Sequence, residues 1–435
     1  MHIVQLTPGA GGMYCGNCFR DNALVQALRQ AGHTATMVPL YLPFTLDDND
    51  TSAGMPVFFG GITVYLQEKS NLFRSAPNWL RDVLALPGLL RAIGRFAAKT
   101  RPENLGTLTI SMLRGEEGNQ ARELDELIRW LKTQPKPDAV CLSNAMLAGM
   151  VRKIRSELGV PVVCMLQGEE SFLDALDPKH RDLAWITMAE RVREADLLVA
   201  PSRYFANRMA ERLSIPASRI TVVPNGIKLD GFATTARPEA TTPSSARTIG
   251  FFARMCPEKG LDTLVEAFVI LKERGGSFGL RLRIGGSCGP GDTAYVEALR
   301  ARLTALGLLG SVDFVPNPSR DEKIAFLKSL DVFSVPALYG EAFGLYLLEA
   351  MAAGVPVVQP RAAAFPELVE DTGGGILCEP RSATALASAI ESLLANPISA
   401  KAMGERGRIA VQTRYSAQAM AAGMLEALGS IKRDA

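Results

Sequence analysis

Short, nearly unbroken runs of Val, Ile and Leu alternate with stretches of helical composition along the chain, and the alternation occurs twice. The first series reads HIVQL (2–6), TATMVPLY (34–41), ITVYLQ (62–67), DAVCLS (138–143), VPVVCML (160–166), DLLVAPS (196–202) and ITVVPNG (220–226). Helical segments lie between most of these, the first over Arg20–Gln30. A stretch rich in Thr, Ser, Pro and Ala, 234–247, then reads as a linker. The second series reads TIGFFAR (248–254), LRLRIGG (280–286), VDFVP (312–316), VFSVP (332–336), PVVQP (356–360) and GGILCE (374–379), with helices at 260–274, 293–306 and 320–330 between them. Helices at 383–395, 399–413 and 416–429 close the chain. Apolar runs without polar alternation suit strands buried on both faces, and helices between them suit a parallel sheet. The pattern predicts two doubly wound α/β domains, with ligands at the carboxyl ends of the strands and a site in the cleft between the domains.

Bulk properties narrow the class. A chain of 435 residues buries a large core and suggests two to three domains. Hydrophobic content of 47% with 21% charge is ordinary for a soluble enzyme, and a net charge of +2 gives no reason to expect nucleic acid. No apolar run approaches the roughly 18 residues of a membrane span. The start, MHIVQLTPGAGG, reads as a strand and glycine turn and not as a secretory leader. The cysteines number 7, an odd count scattered over both halves, which suits reduced thiols in a cytoplasm.

The most informative segment is ALYGEAFGLYLLEAMAAGVPVVQP (337–360). Glu341 sits on a loop, and a helix starts near Phe343 or Gly344 and carries Glu349 inside it. Gly354 and Pro356 end that helix. A helix N-terminus offers unpaired N–H groups and a positive dipole end, so a phosphate can rest there with a carboxylate on each side. Such a place suits a diphosphate flanked by hydroxyl-rich groups. Read alone, two acids around a helix start are usually solvated.

The whole string resembles the donor-site signature of retaining glycosyltransferases of family 4. Glu341, Phe343, Gly344, Glu349, Ala350, Met351, Ala352, Gly354, Pro356, Val357 and Val358 match, while Ala342 stands where Pro is commonest. The resemblance implies a GT-B fold, with two Rossmann-like domains facing a central cleft. The acceptor-side domain would be 1–233, the donor domain 246–413, and the last helix, within 414–435, would cross back onto the first domain. It implies no metal and no cofactor, with a nucleotide-sugar, a UDP-sugar first, as substrate. It implies Glu341 on the sugar, Glu349 on the ribose, and the N–H groups of Gly344 and Leu345 on the diphosphate. FFARMCPEKG (251–260) resembles the family's Arg-x-x-x-x-Lys-Gly element, so Arg254 and Lys259 would bring two cations to that diphosphate.

The first half resembles the family more loosely. In GAGGMYCG (9–16), Gly11 and Gly12 would let backbone approach the sugar. In MLQGEES (165–171), Gln167 stands where the family carries His, and Gln hydrogen-bonds but takes no proton. In VPNGIKLDGF (223–232), Pro224, Asn225, Gly226 and Phe232 match a hinge element, and Lys228 replaces an Asp. The implied activity is transfer of a sugar to a glycan, lipid-linked or small-molecule acceptor. Two alternatives follow from the departures: a catalytically silent nucleotide-sugar-binding protein, and a thiol oxidoreductase built on Cys15 and Cys18 at CxxC spacing. For the pair itself, two small residues in a tight loop is the simpler account, and Asp48 and Asp50 read as a solvated turn. In 68–101, Arg91, Arg95 and Lys99 recur along one side of a helix beside apolar residues. That pattern allows peripheral contact with a membrane surface, although packing against the domain is the plainer reading.

Overall fold

A computed structural model describes residues 1–9, 16–42, 50–52, 54–59, 105–232, 246–275 and 279–431. Gly11, Gly12, Cys15, Asp48, the expected strand 62–67, the basic segment 68–101 and linker residues 234–245 lie outside them. The chain forms two compact units, Met1–Asn225 with Met420–Ala435, and Gly226–Ala419. The chain therefore divides at 225/226 and 419/420, whereas the sequence placed one linker after 233 and the start of the returning helix segment at 414.

In the first unit the described strands form one parallel sheet. They are β1 (His2–Thr7), β2 (Thr34–Pro39), β3 (Ala139–Leu142), β4 (Val162–Met165), β5 (Leu197–Ala200) and β6 (Ile220–Val222), in the order β2-β1-β3-β4-β5-β6. Every residue of β3, β4 and β5 is buried, as strands covered on both faces must be. The second unit holds β7 (Ala246–Phe252), β8 (Gly279–Gly286), β9 (Val312–Pro316), β10 (Val332–Phe333), β11 (Val357–Pro360) and β12 (Gly375–Cys378). Their order is β12-β11-β10-β7-β8-β9, again all parallel. Phe251, Phe268, Phe326, Phe333 and Phe365 are among the largest fully buried side chains of this unit's core. Truncating one to Ala would cost about 3–5 kcal/mol.

Both sheets reverse direction of winding at one place. In the first the chain turns back between β1 and β3, and in the second between β7 and β10. At such a switch point the loops leaving two adjacent strands run to opposite faces and open a crevice at the carboxyl ends. Ile249 of β7 lies in register with Leu282 on one side and Val332 on the other. Strands far apart in sequence thus deliver their loops side by side.

Two local expectations change. The first helix spans Gly16–Gln30 and not Arg20–Gln30, so Cys18 is buried in its first turn instead of sitting in a tight loop. The helix expected at 399–413 spans Pro397–Arg414, because the Asn396 side chain accepts from the Ser399 N–H at 3.1 Å and Pro397 needs no N–H partner in the first turn.

Candidate active site

The second switch point gathers the strongest cluster of functional groups. The loop after β7 runs through Arg254 into a short 3-10 turn, Pro257–Lys259. The loop after β10 runs through Tyr339 and Glu341 into the helix Leu345–Ala352. The Leu338 N–H donates to the Glu258 carbonyl at 2.9 Å and ties the loops together. Gly260 permits this approach: its φ is +70°, and a Cβ there would stand 2.0 Å from the Pro336 oxygen.

That proximity brings Lys259 Nζ to 2.6 Å from Glu341 Oε2. The Tyr339 hydroxyl accepts from Lys259 at 2.5 Å and donates to Glu341 Oε2 at 2.7 Å, and the Tyr346 hydroxyl donates to the same oxygen at 2.9 Å. Lys259 also lies 4.9 Å from the Tyr339 ring centre and 5.0 Å from that of Tyr346. Burial alone would raise the Glu341 carboxyl, but the Lys259 charge and the hydrogen bonds from Lys259, Tyr339 and Tyr346 hold it below the usual carboxylate value. Burial and the Glu341 charge push the Tyr346 phenol well above its ordinary value, so it remains a donor. The sequence reading missed both tyrosines and the direct Lys259–Glu341 contact. The signal was a pair of aromatics bearing hydroxyls on either side of Glu341, but their convergence depends on the sheet order.

Gly344 caps the helix Leu345–Ala352 with φ +99°, and a Cβ would press 2.7 Å from Leu347 Cδ1. Leu345 is the first helical residue, and Phe343 is buried with its ring 6.1 Å from that of Tyr415. Glu349 lies within the helix, where Lys323 Nζ reaches its Oε1 at 2.7 Å. That partner comes from the helix Arg320–Lys328, whose start is fixed by a Ser319–Glu322 capping box. Arg254 is held elsewhere: its Nε and Nη2 grip both oxygens of Asp292 at 2.9–3.2 Å, and the Asp292 hydrogen bonds and charge raise the guanidinium further. Its side chain stays 61% exposed, open to a second anion. Neither Lys323 nor Asp292 was foreseen.

In the first unit Gln167 follows β4 and forms a two-way amide pair with Asn225: Asn225 Nδ2 donates to Gln167 Oε1 at 3.0 Å, and Gln167 Nε2 to Asn225 Oδ1 at 3.5 Å. The Gln167 N–H donates to Glu169, which also accepts from the Ala145 N–H at 2.8 Å. Next to it, Glu170 is buried with neither carboxylate oxygen bonded. Burial, reinforced by the Glu169 charge, pushes its carboxyl up to about 7. At the β1/β3 switch point Thr7 donates to Asp21 at 2.7 Å, and Arg20 bridges Asp21 to the Ser143 carbonyl and hydroxyl.

The thiols of Cys141, Cys164, Cys256, Cys288 and Cys378 are all raised, first of all by burial, with Cys256 pushed up to about 11. Such groups are not thiolates. Asp50 accepts from the N–H and hydroxyl of Ser52, the local turn the sequence suggested.

Residues 107–230 match the model of Glycosyltransferase Family 4, and residues 233–410 that of Glycosyl transferases group 1. The chain belongs to the family 4-like group 1 glycosyltransferases. It is 30% identical to the D-inositol 3-phosphate glycosyltransferase of Segniliparus rotundus over 301 residues, 65% of this chain and 64% of that one. It is also 30% identical to the GDP-mannose-dependent alpha-(1-6)-phosphatidylinositol monomannoside mannosyltransferase of Mycobacterium tuberculosis, over 54% of this chain and 61% of the relative. The alignments thus span less than two thirds of these relatives. In structure the chain resembles the sucrose-phosphate synthase of Thermosynechococcus elongatus, with TM-score 0.71 and 19% identity over 98% of this chain and 97% of that one. Anabaena HepE, solved with UDP and glucose, gives TM-score 0.66 and 17% identity over 99% and 100%. The fold is GT-B. Among the described residues no helix is long and apolar enough to cross a membrane.

Proposed function

We propose that this glycosyltransferase moves a sugar, with retention, from a nucleotide-diphosphate sugar to a hydroxyl acceptor, and that the β7/β10 switch point holds the donor. The observation that carries the reading is the Lys259–Glu341 contact beside the N-terminus of the helix Leu345–Ala352. A cation and free helix N–H groups stand where a leaving diphosphate gains charge. A carboxylate stands where it can accept from sugar hydroxyls and favour positive charge at the anomeric carbon. Lys259 has a third N–H for a phosphate oxygen, and exposed Arg254 supplies a second cation. The leaving diphosphate takes the acceptor proton, so Gln167 in place of His does not forbid the reaction. Metal is not needed for this arrangement, because cations and N–H groups supply the positive charge.

Glu349 accepts from the ribose hydroxyls in this reading, with Lys323 bonded to its other side. A cavity of about 250 Å³ at the carboxyl ends of β8 and β9, lined by Met255, Cys288, Phe314, Pro316 and Asn317 among others, takes the base. The donor is a UDP-sugar first, as the HepE complex with UDP suggests, and GDP-mannose second, after the mannosyltransferase relative. The acceptor is a glycan, a lipid-linked sugar or a small polyol, since the named relatives act on inositol phosphate and on a phosphatidylinositol mannoside. The test is Glu349→Ala against a UDP and GDP titration. Loss of a charged acceptor should weaken binding by about 1.5–3 kcal/mol. Unchanged affinity in the folded variant would remove the ribose assignment.

A further inference from the structure

We infer that Tyr339 and Tyr346 are positioning residues that clamp one oxygen of Glu341 and leave the other as its only acceptor for the donor sugar. The inference rests on the donor-site reading above. Three donors converge on Glu341 Oε2: Lys259 Nζ at 2.6 Å and the hydroxyls of Tyr339 and Tyr346 at 2.7 and 2.9 Å. No hydrogen bond reaches Oε1 among the described residues, and that oxygen is not sealed from solvent. A carboxylate has about four acceptor sites. Here those of one oxygen are filled, and those of the other are kept open at a switch point.

The clamp also fixes direction. A Glu on a loop samples several rotamers, and three donors on one atom select one of them. The Tyr346 ring is in turn held by Phe333 and Phe365, at 6.4 and 6.5 Å between ring centres. Its hydroxyl is therefore aimed by the core of the second unit. Tyr339 works differently, as a relay that accepts from Lys259 and donates to Glu341. By sharing Oε2 with Lys259, the tyrosines keep the lysine from neutralising the carboxylate alone. The groups acting on this carboxylate are Lys259, Tyr339 and Tyr346, with the Cys256 thiol acting on Tyr346 from the turn below.

The experiment uses Tyr339→Phe and Tyr346→Phe, each in the parent and in a Glu341→Gln background. Three quantities are read across pH: release of UDP from UDP-glucose and of GDP from GDP-mannose, Kd for UDP and GDP, and the melting temperature. Loss of a hydrogen bond to a charged group should lower kcat by roughly ten- to a hundred-fold. Nucleotide Kd should stay within about two-fold, since neither hydroxyl is assigned to the nucleotide. The acidic edge of kcat should move to higher pH, because Glu341 loses a bond that favours its ionised form. In melting, the loss caused by Tyr→Phe should shrink in the Glu341→Gln background, as coupling requires. Folded Tyr346→Phe with parental kcat and an unmoved acidic edge would overturn the clamp. So would equal melting losses in both backgrounds, which would mark the hydroxyls as merely structural. Failure of the donor reading shows differently: Glu341→Gln would then turn over either donor like the parent, while the melting coupling persisted.

Discussion

The two switch points are built alike and finished differently. At β1/β3, Arg20 and Asp21 are wholly buried, and they close on Thr7 and Ser143 within their own unit. At β7/β10, Lys259 and Glu341 keep 18% and 14% of their side-chain surface, and each retains an unused bonding site. The same topology therefore yields a strut in one unit and an open site in the other. The difference lies in access: Arg20 Nη1 has no partner but is sealed from solvent, whereas Lys259 and Glu341 keep part of their surface open. In a wholly buried pair, removing one partner strands the other as a buried charge. A pair whose spare valences reach the surface can receive a ligand.

The sharpest way to break this contrast is to remove one partner at each place. Asp21→Ala should destabilise the protein by about 3–5 kcal/mol, because Arg20 is left charged and dry. A denaturant melt checks it, and a loss near zero would mean that the strut is no strut. Lys259→Met should instead leave melting close to the parent while turnover falls by roughly 10²–10³. If Lys259→Met melts like Asp21→Ala, the two switch points are the same kind of structure after all.

A smaller effect sharpens the comparison within the first unit. Glu170, with neither oxygen bonded, has its carboxyl raised to about 7 by burial. A raised acid favours the folded state below the unfolded value, about 4.3 for Glu, and that stability fades as pH climbs through about 7. The parent should lose stability between pH 5 and pH 8 at a slope on the order of 1.4 kcal/mol per pH unit or less, and its melting temperature should fall with it. Glu170→Gln should flatten that slope and melt higher than the parent at pH 8. Parallel curves for the two proteins would show that Glu170 is ionised throughout.

The strand–helix alternation was readable because buried parallel strands must be apolar on both faces, and β3, β4 and β5 are. The helix Leu345–Ala352 was readable to within about two residues, since Gly344, Gly354 and Pro356 punctuate it. Pairings were not readable. Glu341 meets Lys259 because β7 and β10 are neighbours, although β8 and β9 separate them along the chain. Glu349 meets Lys323, and Arg254 meets Asp292, for the same kind of reason. Sequence spacing carries no trace of such contacts, so acids and bases assigned separate tasks proved to be partners. Cys18 was misplaced because the helix starts earlier, at Gly16, than its apolar pattern announces.

The second unit is an insertion in the first. The chain leaves the first unit after Asn225 and returns at Met420, inside the continuous helix Ala417–Gly429. The two ends of the inserted unit are stitched together: the Ile227 N–H donates to the Tyr415 carbonyl at 2.9 Å, and the Ala417 N–H to the Ile227 carbonyl at 2.8 Å. Order of manufacture follows from this stitching. On the ribosome the first unit's sheet emerges early but waits for the segment from Met420 on, which follows the whole second unit, while the second unit has all its segments in one stretch. The half that is begun first is therefore completed after the other, and a ribosome stalled just past Ala419 would hold a finished second unit on an unfinished first one.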